Sequence, residues 1–232
     1  MIKKIYLFII VMILVLLTLT GCSDTHEEKD INDKTKEEIA YLEKEIFMVV
    51  NKYVKDEYIK DNNLNWDSIN DDVEEINGAL DTIILDLSEV NISNDDLIKL
   101  RNEVDNLFIA VGKKDEYNFL NRCGYMYSLL PGYLDKCTDN KNIVNIMKLK
   151  SLVLTSFIQS QFNEWEQAKI NISTAETHYK GMMDNIDYMK EYSYNLNKVY
   201  ILLEEFKSSI DNEEADLAQV KYITFIEKSP QI

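Results

Sequence analysis

The spacing of the apolar residues constrains this chain more than any other feature. From Trp66 they fall at Ile69, Val73, Ile76, Leu80, Ile83, Leu87 and Val90, in alternating steps of three and four. That spacing lines up one face of a helix, whereas a half-buried strand needs steps of two. Ile39, Leu42, Ile46, Val49 and Tyr53 show it earlier, and Leu97, Leu100, Val104, Leu107 and Val111 show it later. Proline occurs only at 131 and 230, and glycine six times in 232 residues. Strand-rich folds need many tight turns and the residues that form them. The expectation is an all-α fold, an antiparallel helical bundle or stacked helical hairpins, with about six to eight helices.

Capping signals set the expected boundaries. Thr35-Lys36-Glu37-Glu38 reads as a capping box ahead of the first helix, and Asn65 and Ser93 as N-caps of the second and third. Gly112 fits the end of the third. A fourth helix is expected from Asp115 to Leu130, stopped by Pro131-Gly132. A fifth runs from Lys141 to about Lys169, with a break near Asn171 ahead of the capping signature Ser173-Thr174-Ala175-Glu176. A sixth continues from Ala175 and extends as far as Ile210, and a last one spans Glu213 to Glu227. Shifted by 99 residues, the stripe from Trp66 lands on Trp165, Ala168, Ile172, Ala175, Tyr179, Met182 and Ile186. Shared helical periodicity explains that register more simply than a duplication does, and the shift crosses the break expected near Asn171.

The N-terminus is of a different kind. Lys3 and Lys4 precede Ile5 to Leu19, a stretch of 15 residues without a charge. A spanning helix needs about 20 apolar residues, so this run suits a signal peptide better than a membrane span. It closes on Leu19-Thr20-Gly21-Cys22, with two small residues directly before a cysteine. This pattern, confined to the first 22 residues, resembles the lipobox of bacterial lipoprotein precursors. The resemblance implies cleavage between Gly21 and Cys22, a diacylglyceryl group on the Cys22 sulfur, and residence at the outer face of the cytoplasmic membrane. Two acyl chains hold a protein stably where one does not, at about 0.8 kcal/mol per buried CH₂. Residues 22–36 then read as the lipidated cysteine and a flexible charged tether, since Ile31 is the only large apolar side chain there. Residues 37–229 form the helical domain.

Removing the leader, and Lys3 and Lys4 with it, leaves 23 basic against 41 acidic residues, a net charge of −18. Such a surface repels phosphate backbones and anionic headgroups, so nucleic acid is not an expected partner and the lipid alone attaches the chain to the membrane. The wealth of Asn, Ile, Lys, Asp and Tyr fits an AT-rich, low-GC Gram-positive source.

No motif for catalysis stands out: there is no Gly-rich phosphate loop, HExxH or GxSxG pattern, and no catalytic residue is assigned. His178 is the only histidine beyond the tether, which excludes a multi-histidine metal site, and no cofactor is expected. The acidic runs Asp71, Asp72, Glu74, Glu75 and Asp211, Glu213, Glu214, Asp216 lack the glycine and terminal glutamate of a calcium loop. They read as solvated helix faces. Cys123 and Cys137 flank the Pro131-Gly132 break, and a fold-back there would bring them within disulfide reach; two buried thiols are the alternative. Tyr117, Tyr125, Tyr127 and Tyr133 gather around the same break. They suit either a ring-lined groove for a peptide or glycan or ordinary helix packing. The reading that results is a lipid-anchored, extracytoplasmic helical protein that binds or scaffolds an envelope or protein partner. The alternative is a lipoprotein that holds a small solute, peptide or glycan.

Overall fold

The computed structural model describes residues 24–183 and 186–229, with side chains described for 31–183 and 197–229. The leader and the lipobox residues Gly21 and Cys22 lie outside the described residues. The chain is helical throughout, as the apolar spacing requires. Its helices are α1 (Asp24–Val54), α2 (Trp66–Glu89), α3 (Asn94–Gly112), α4 (Glu116–Cys137), α5 (Lys141–Gln161), α6 (Trp165–Met183), α7 (Ile186–Asp211) and α8 (Ala215–Lys228). One short antiparallel ribbon, β1 (Ile59–Lys60) against β2 (Asn63–Leu64), bridges α1 and α2 with Ile59 opposite Leu64.

Each helix packs antiparallel to its chain neighbours, and two further pairings close the architecture: α1 on α4 and α5 on α8. The helices therefore form two layers of four, α2-α1-α8-α7 over α3-α4-α5-α6. α1 and α8 are neighbours in the first layer but barely touch. The core runs the full length between the layers. Ile39, Leu42, Ile46, Ile69, Val73, Ile76, Leu80, Leu100, Val104 and Leu107 are all fully buried in it. Across the second half, Phe157 of α5 stacks on Tyr222 of α8 with ring centroids 4.2 Å apart.

The structure corrects four boundaries. α1 begins at Asp24, so the expected flexible tether is helical from that residue onward. Thr35 is not a cap; it is fully buried and its hydroxyl donates to the Ile31 carbonyl within the helix. Ile31, Thr35 and Ile39 carry the core stripe backwards in steps of four, and adding turns to a packed helix avoids the cost of a new nucleus. α4 runs through Pro131 to Cys137. An internal proline costs a helix about 3 kcal/mol. Leu130 and Leu134 are fully buried beside it, and each such burial is worth about 1.5–3 kcal/mol, so packing outweighs the missing N–H.

The break expected near Asn171 lies at 162–164 instead. Asn163 takes a positive φ of 59° there, with neither glycine nor proline to mark the turn. Ser173-Thr174-Ala175-Glu176 lies inside α6, where Thr174 donates to the Ile170 carbonyl. The expected sixth helix is two, α6 and α7.

The break expected near Asn171 is absent from the 99-residue register, although the last residue of the shifted stripe, Ile186, falls in α7 and not in α6. Trp66 and Trp165 are the first residues of α2 and α6. The turn into α4 bonds Lys114 N to Val111 O, Asp115 N to Ala110 O and Phe119 N to Asp115 O. The turn into α8 bonds Glu213 N to Ile210 O, Glu214 N to Ser209 O and Ala218 N to Glu214 O, each 99 residues on. The turn from α5 into α6 repeats the pattern through Asn163, Glu164 and Ala168. The register is thus shared by helix starts and turns as well as by apolar stripes.

These turns put a non-glycine residue at positive φ: Asp56, Asn91, Lys114, Asn163 and Glu213. Asp and Asn tolerate that region through local hydrogen bonds, but Lys bears its full steric cost of about 1–2 kcal/mol. Lys114→Gly keeps the same backbone bonds and removes the clash. Set against glycine's greater unfolded-state freedom, it should raise stability by about 0.5–1 kcal/mol in urea unfolding, with no change in helical content.

Candidate functional site

α1 has a second apolar face. Its core stripe is Ile39, Leu42, Ile46 and Val49, while Glu37, Ala40, Tyr41, Lys44, Met48 and Asn51 recur in steps of three and four on the side turned towards α8. α8 has 14 residues against the 31 of α1, and its last turn ends part-way along that face. What remains is an open groove of about 550 Å³, a size suited to ligand recognition. Ala40, Tyr41, Phe47, Met48 and Ile226 give it an apolar lining, and Glu37, Glu43, Lys44, Asn51 and Glu227 give it a polar one. Tyr41 is 45% exposed and Met48 36%.

A buried polar cluster lies under the groove. Glu43 is 4% and Lys150 1% exposed. The Tyr127 hydroxyl donates to Glu43 Oε1 at 2.6 Å, and Lys150 Nζ donates to the same oxygen at 3.1 Å. Phe47 packs on the Tyr127 ring with centroids 4.6 Å apart, and the Lys150 ammonium lies 5.7 Å from the Phe47 centroid. Burial, then the Glu43 charge, push the Tyr127 hydroxyl well above its ordinary pKa, so it stays a donor. Asn51, at the end of the groove, has a buried Oδ1 with no donor. The groove therefore offers hydrogen-bond acceptors and aromatic faces.

A second carboxylate pair sits behind α1. Glu38 meets Asp86 of α2, with Lys34 Nζ 2.7 Å from Asp86 Oδ2. Burial, then the hydrogen bond shared with Asp86, raise the Glu38 carboxyl to about 7. Burial pushes Asp86 up as well, but hydrogen bonds from Lys34 and Glu38 hold it below its usual value. One proton between the two carboxyls satisfies Glu38 Oε2, which otherwise has no donor.

Of the four tyrosines expected around Pro131, the structure brings only Tyr127 to this site. Tyr133 is buried and donates to the Asp96 carbonyl. Tyr117 is exposed, packs edge-on against Phe162 and donates to Glu164 at 2.7 Å. Tyr125 is exposed on the outside of α4. Tyr117, Tyr125, Tyr127 and Tyr133 thus line no common groove. Cys123 and Cys137 are free and buried. Because α4 does not fold back at Pro131, they stand 14 residues apart on one helix, about 21 Å, far beyond the roughly 7 Å that a disulfide spans. Burial raises both thiols, that of Cys137 to about 11, and keeps them protonated.

His178 is half-buried, with Nε2 3.2 Å from the Asn145 carbonyl oxygen, and burial lowers its pKa. Asp72 of the first acidic run accepts from Lys52 and Tyr58, and Glu213 of the second from Lys169. Among the described residues no group of three or more His, Cys, Asp or Glu is placed to hold a metal ion, and no helix is long and apolar enough to cross a membrane.

Sequence reasoning passed over Tyr41, Phe47 and Met48. The signal was present: with Ala40 they widen the apolar arc of α1 beyond what one packed face uses. Comparison of the chain with protein-family models, with curated proteins and with solved structures found no match.

Two outcomes test this description. Lys150→Met strands the Glu43 charge and should cost about 3–5 kcal/mol in chemical unfolding. The triple change Lys150→Met, Glu43→Leu, Tyr127→Phe leaves no partner unpaired and should recover most of that loss. The folded Glu38 holds its proton to higher pH than the unfolded chain, whose value is 4.5. Its stabilisation is therefore complete below pH 4.5 and is lost as pH rises through about 7. Asp86 acts in the opposite sense, losing its contribution as pH falls below its unfolded value of 3.8. Melting temperatures of Glu38→Gln should lack the wild-type decline between pH 4.5 and 7.

Proposed function

We propose that this chain is a lipid-anchored, extracytoplasmic helical protein that binds a partner at the outer face of the cytoplasmic membrane. The anchor reading rests on Leu19-Thr20-Gly21-Cys22 behind 15 uncharged residues. The binding reading rests on the groove along α1. One observation joins them: α1 starts at Asp24, two residues after Cys22, and is also the groove's long wall. At 1.5 Å per residue the lining from Glu37 to Asn51 stands about 20 to 40 Å along the helix from Asp24. The groove is thus carried by the same helix that includes residues 24–36, where a loose tether was expected. The groove volume also suits a small solute, which is the second reading.

Cys22→Ala tests the anchor. The wild-type chain should be retained in the membrane fraction, with a mass that shows loss of residues 1–21 and gain of a diacylglyceryl group. The variant should lose both retention and added mass. Unchanged mass and unchanged retention would sink this reading.

A further inference from the structure

We infer that this chain is a pseudo-dimer: α1–α4 and α5–α8 are two copies of one four-helix unit, related by a two-fold axis that runs parallel to the helices and passes between Glu43 and Lys150. The α1–α8 seam is then the open counterpart of the closed α4–α5 seam. The inference rests neither on the lipid nor on a bound partner.

The order of neighbours carries it first. α1 to α4 form a closed ring, each helix packed on the next and α1 on α4, and α5 to α8 form a second ring of the same kind. A half-turn about the centre of the two layers carries α1 onto α5, α2 onto α6, α3 onto α7 and α4 onto α8, and keeps every helix direction. The residues follow. α2 and α6 start 99 residues apart, at Trp66 and Trp165. The same offset separates the ends of α3 and α7, Gly112 and Asp211, and the starts of α4 and α8, Glu116 and Ala215. α1 and α5 end 107 residues apart, at Val54 and Gln161, because the connection after α1 is eight residues longer. Burial keeps both offsets. Ile39 and Ile146, Leu42 and Leu149, and Ile46 and Val153 are buried at the larger one. Val104 and Leu203, Leu107 and Phe206, and Met126 and Phe225 are buried at the smaller. Periodicity alone aligns apolar stripes, but it sets neither the ends of helices nor the turns between them.

At the axis, equivalent positions meet. Glu43 and Lys150 are 107 residues apart and form a buried pair at 3.1 Å. In a symmetric dimer of either unit, that position would set carboxylate against carboxylate or ammonium against ammonium. Opposite charges there make each half specific for the other. Sizes are exchanged as well. Phe157 and Tyr222 stack in the second unit, where the first has the smaller Val50 and Cys123.

The two seams follow from the same axis, which requires that α4 meet α5 as α8 meets α1. On α4, Gly124 lets α5 approach so closely that a Cβ there would lie 2.9 Å from Ile158 Cδ1. The counterparts of Gly124 and Ile158 are Ile223 and Asn51. Ile223 sits one turn from Gln219 and from Glu227, which bond to Val54 and Lys55. A branched side chain in the place of glycine keeps α8 and α1 apart, and the buried Asn51 Oδ1 takes no hydrogen bond.

Rotating the polar cluster about the axis tests the symmetry. Glu43→Lys with Lys150→Glu moves the charges but leaves the Tyr127 hydroxyl against an ammonium. Adding Tyr127→Ile and Ile226→Tyr, its counterpart, moves the hydroxyl too. In urea unfolding of the full-length chain the two-site exchange should lower the midpoint, and the four-site exchange should return it close to the wild-type value. Without the axis the moved hydroxyl finds no carboxylate, and the four-site midpoint falls below the two-site one. That result overturns the inference, as does equality of the two. Should the four-site chain fail to fold, a second exchange decides. Val50→Phe with Cys123→Tyr overfills the core; adding Phe157→Val and Tyr222→Cys should restore a cooperative transition at a higher midpoint, and no recovery overturns the inference. For the seam, Ile223→Gly with Asn51→Ile transplants the α4–α5 contact. Amide hydrogen exchange across α8 should slow about tenfold or more; unchanged or faster exchange overturns the claim that Ile223 holds this seam open.

Discussion

Lys150 and Glu43 meet where three helices converge, and the rest of the molecule is arranged around that meeting. Glu43 comes from α1, Lys150 from α5 and the Tyr127 hydroxyl from α4. Moving an ion from water to the interior costs several kcal/mol even after relaxation, and only close, correctly placed partners repay it. Hydrophobic stripes tolerate sliding by a turn; this trio does not. A one-turn slip of α1 on α4 and α5 leaves two charges and a hydroxyl unpaired. The trio therefore sets the axial position of α1, which belongs to the first half of the chain, against α5, which begins the second. Among the described residues the two halves otherwise meet mainly through α4 on α5, with a slight contact of α1 with α8.

With α1 held against α4 and α5, the length of α8 decides what stays open. α8 follows the same turn as α4, bond for bond, and packs on α5 through Tyr222 and Phe157. In the 99-residue register it is the counterpart of α4, yet α4 has 22 residues and α8 has 14. Ile226 and Glu227, in the last turn of α8, line the groove opposite Tyr41 and Met48.

The class of fold was legible because it depends on periodicity, a property of single helices. The starts of α2, α3 and α4 were legible too: Asn65, Ser93 and Asp115 each accept a hydrogen bond from a backbone N–H three residues on. Three features were not legible, each because tertiary packing overrode a local signal. Pro131 has a breaker's chemistry but lies in a helix buried on several sides. Asn163 turns the chain without glycine. Residues 24–36 have the composition of a tether but extend a helix whose core stripe begins at Ile31. The site was half legible: Tyr127 was a candidate for its chemistry, but its partner Glu43 is 84 residues away. Nothing local marks Glu43 as buried, since it sits among the charged residues of α1.

Net charge could have argued against any compact arrangement of so acidic a chain, and the distribution of its pairs shows why it does not. Lys34 bridges α1 to Asp86 of α2, Lys52 reaches Asp72, Arg101 reaches Asp81 and Arg122 holds Glu103. On the second half Lys169 reaches Glu213 and Lys221 reaches Glu205. All but Lys169, which reaches the turn between α7 and α8, span two helices, so these cations sit at seams where carboxylates would otherwise repel across a packed interface. Exposed pairs of this kind contribute little individually; their effect is to leave the excess negative charge on outward faces. Glu38 and Asp86 face each other with one lysine between them, and a shared proton makes up the shortfall. The same rule holds at the groove, where Lys150 meets Glu43 and Lys55 meets Glu227.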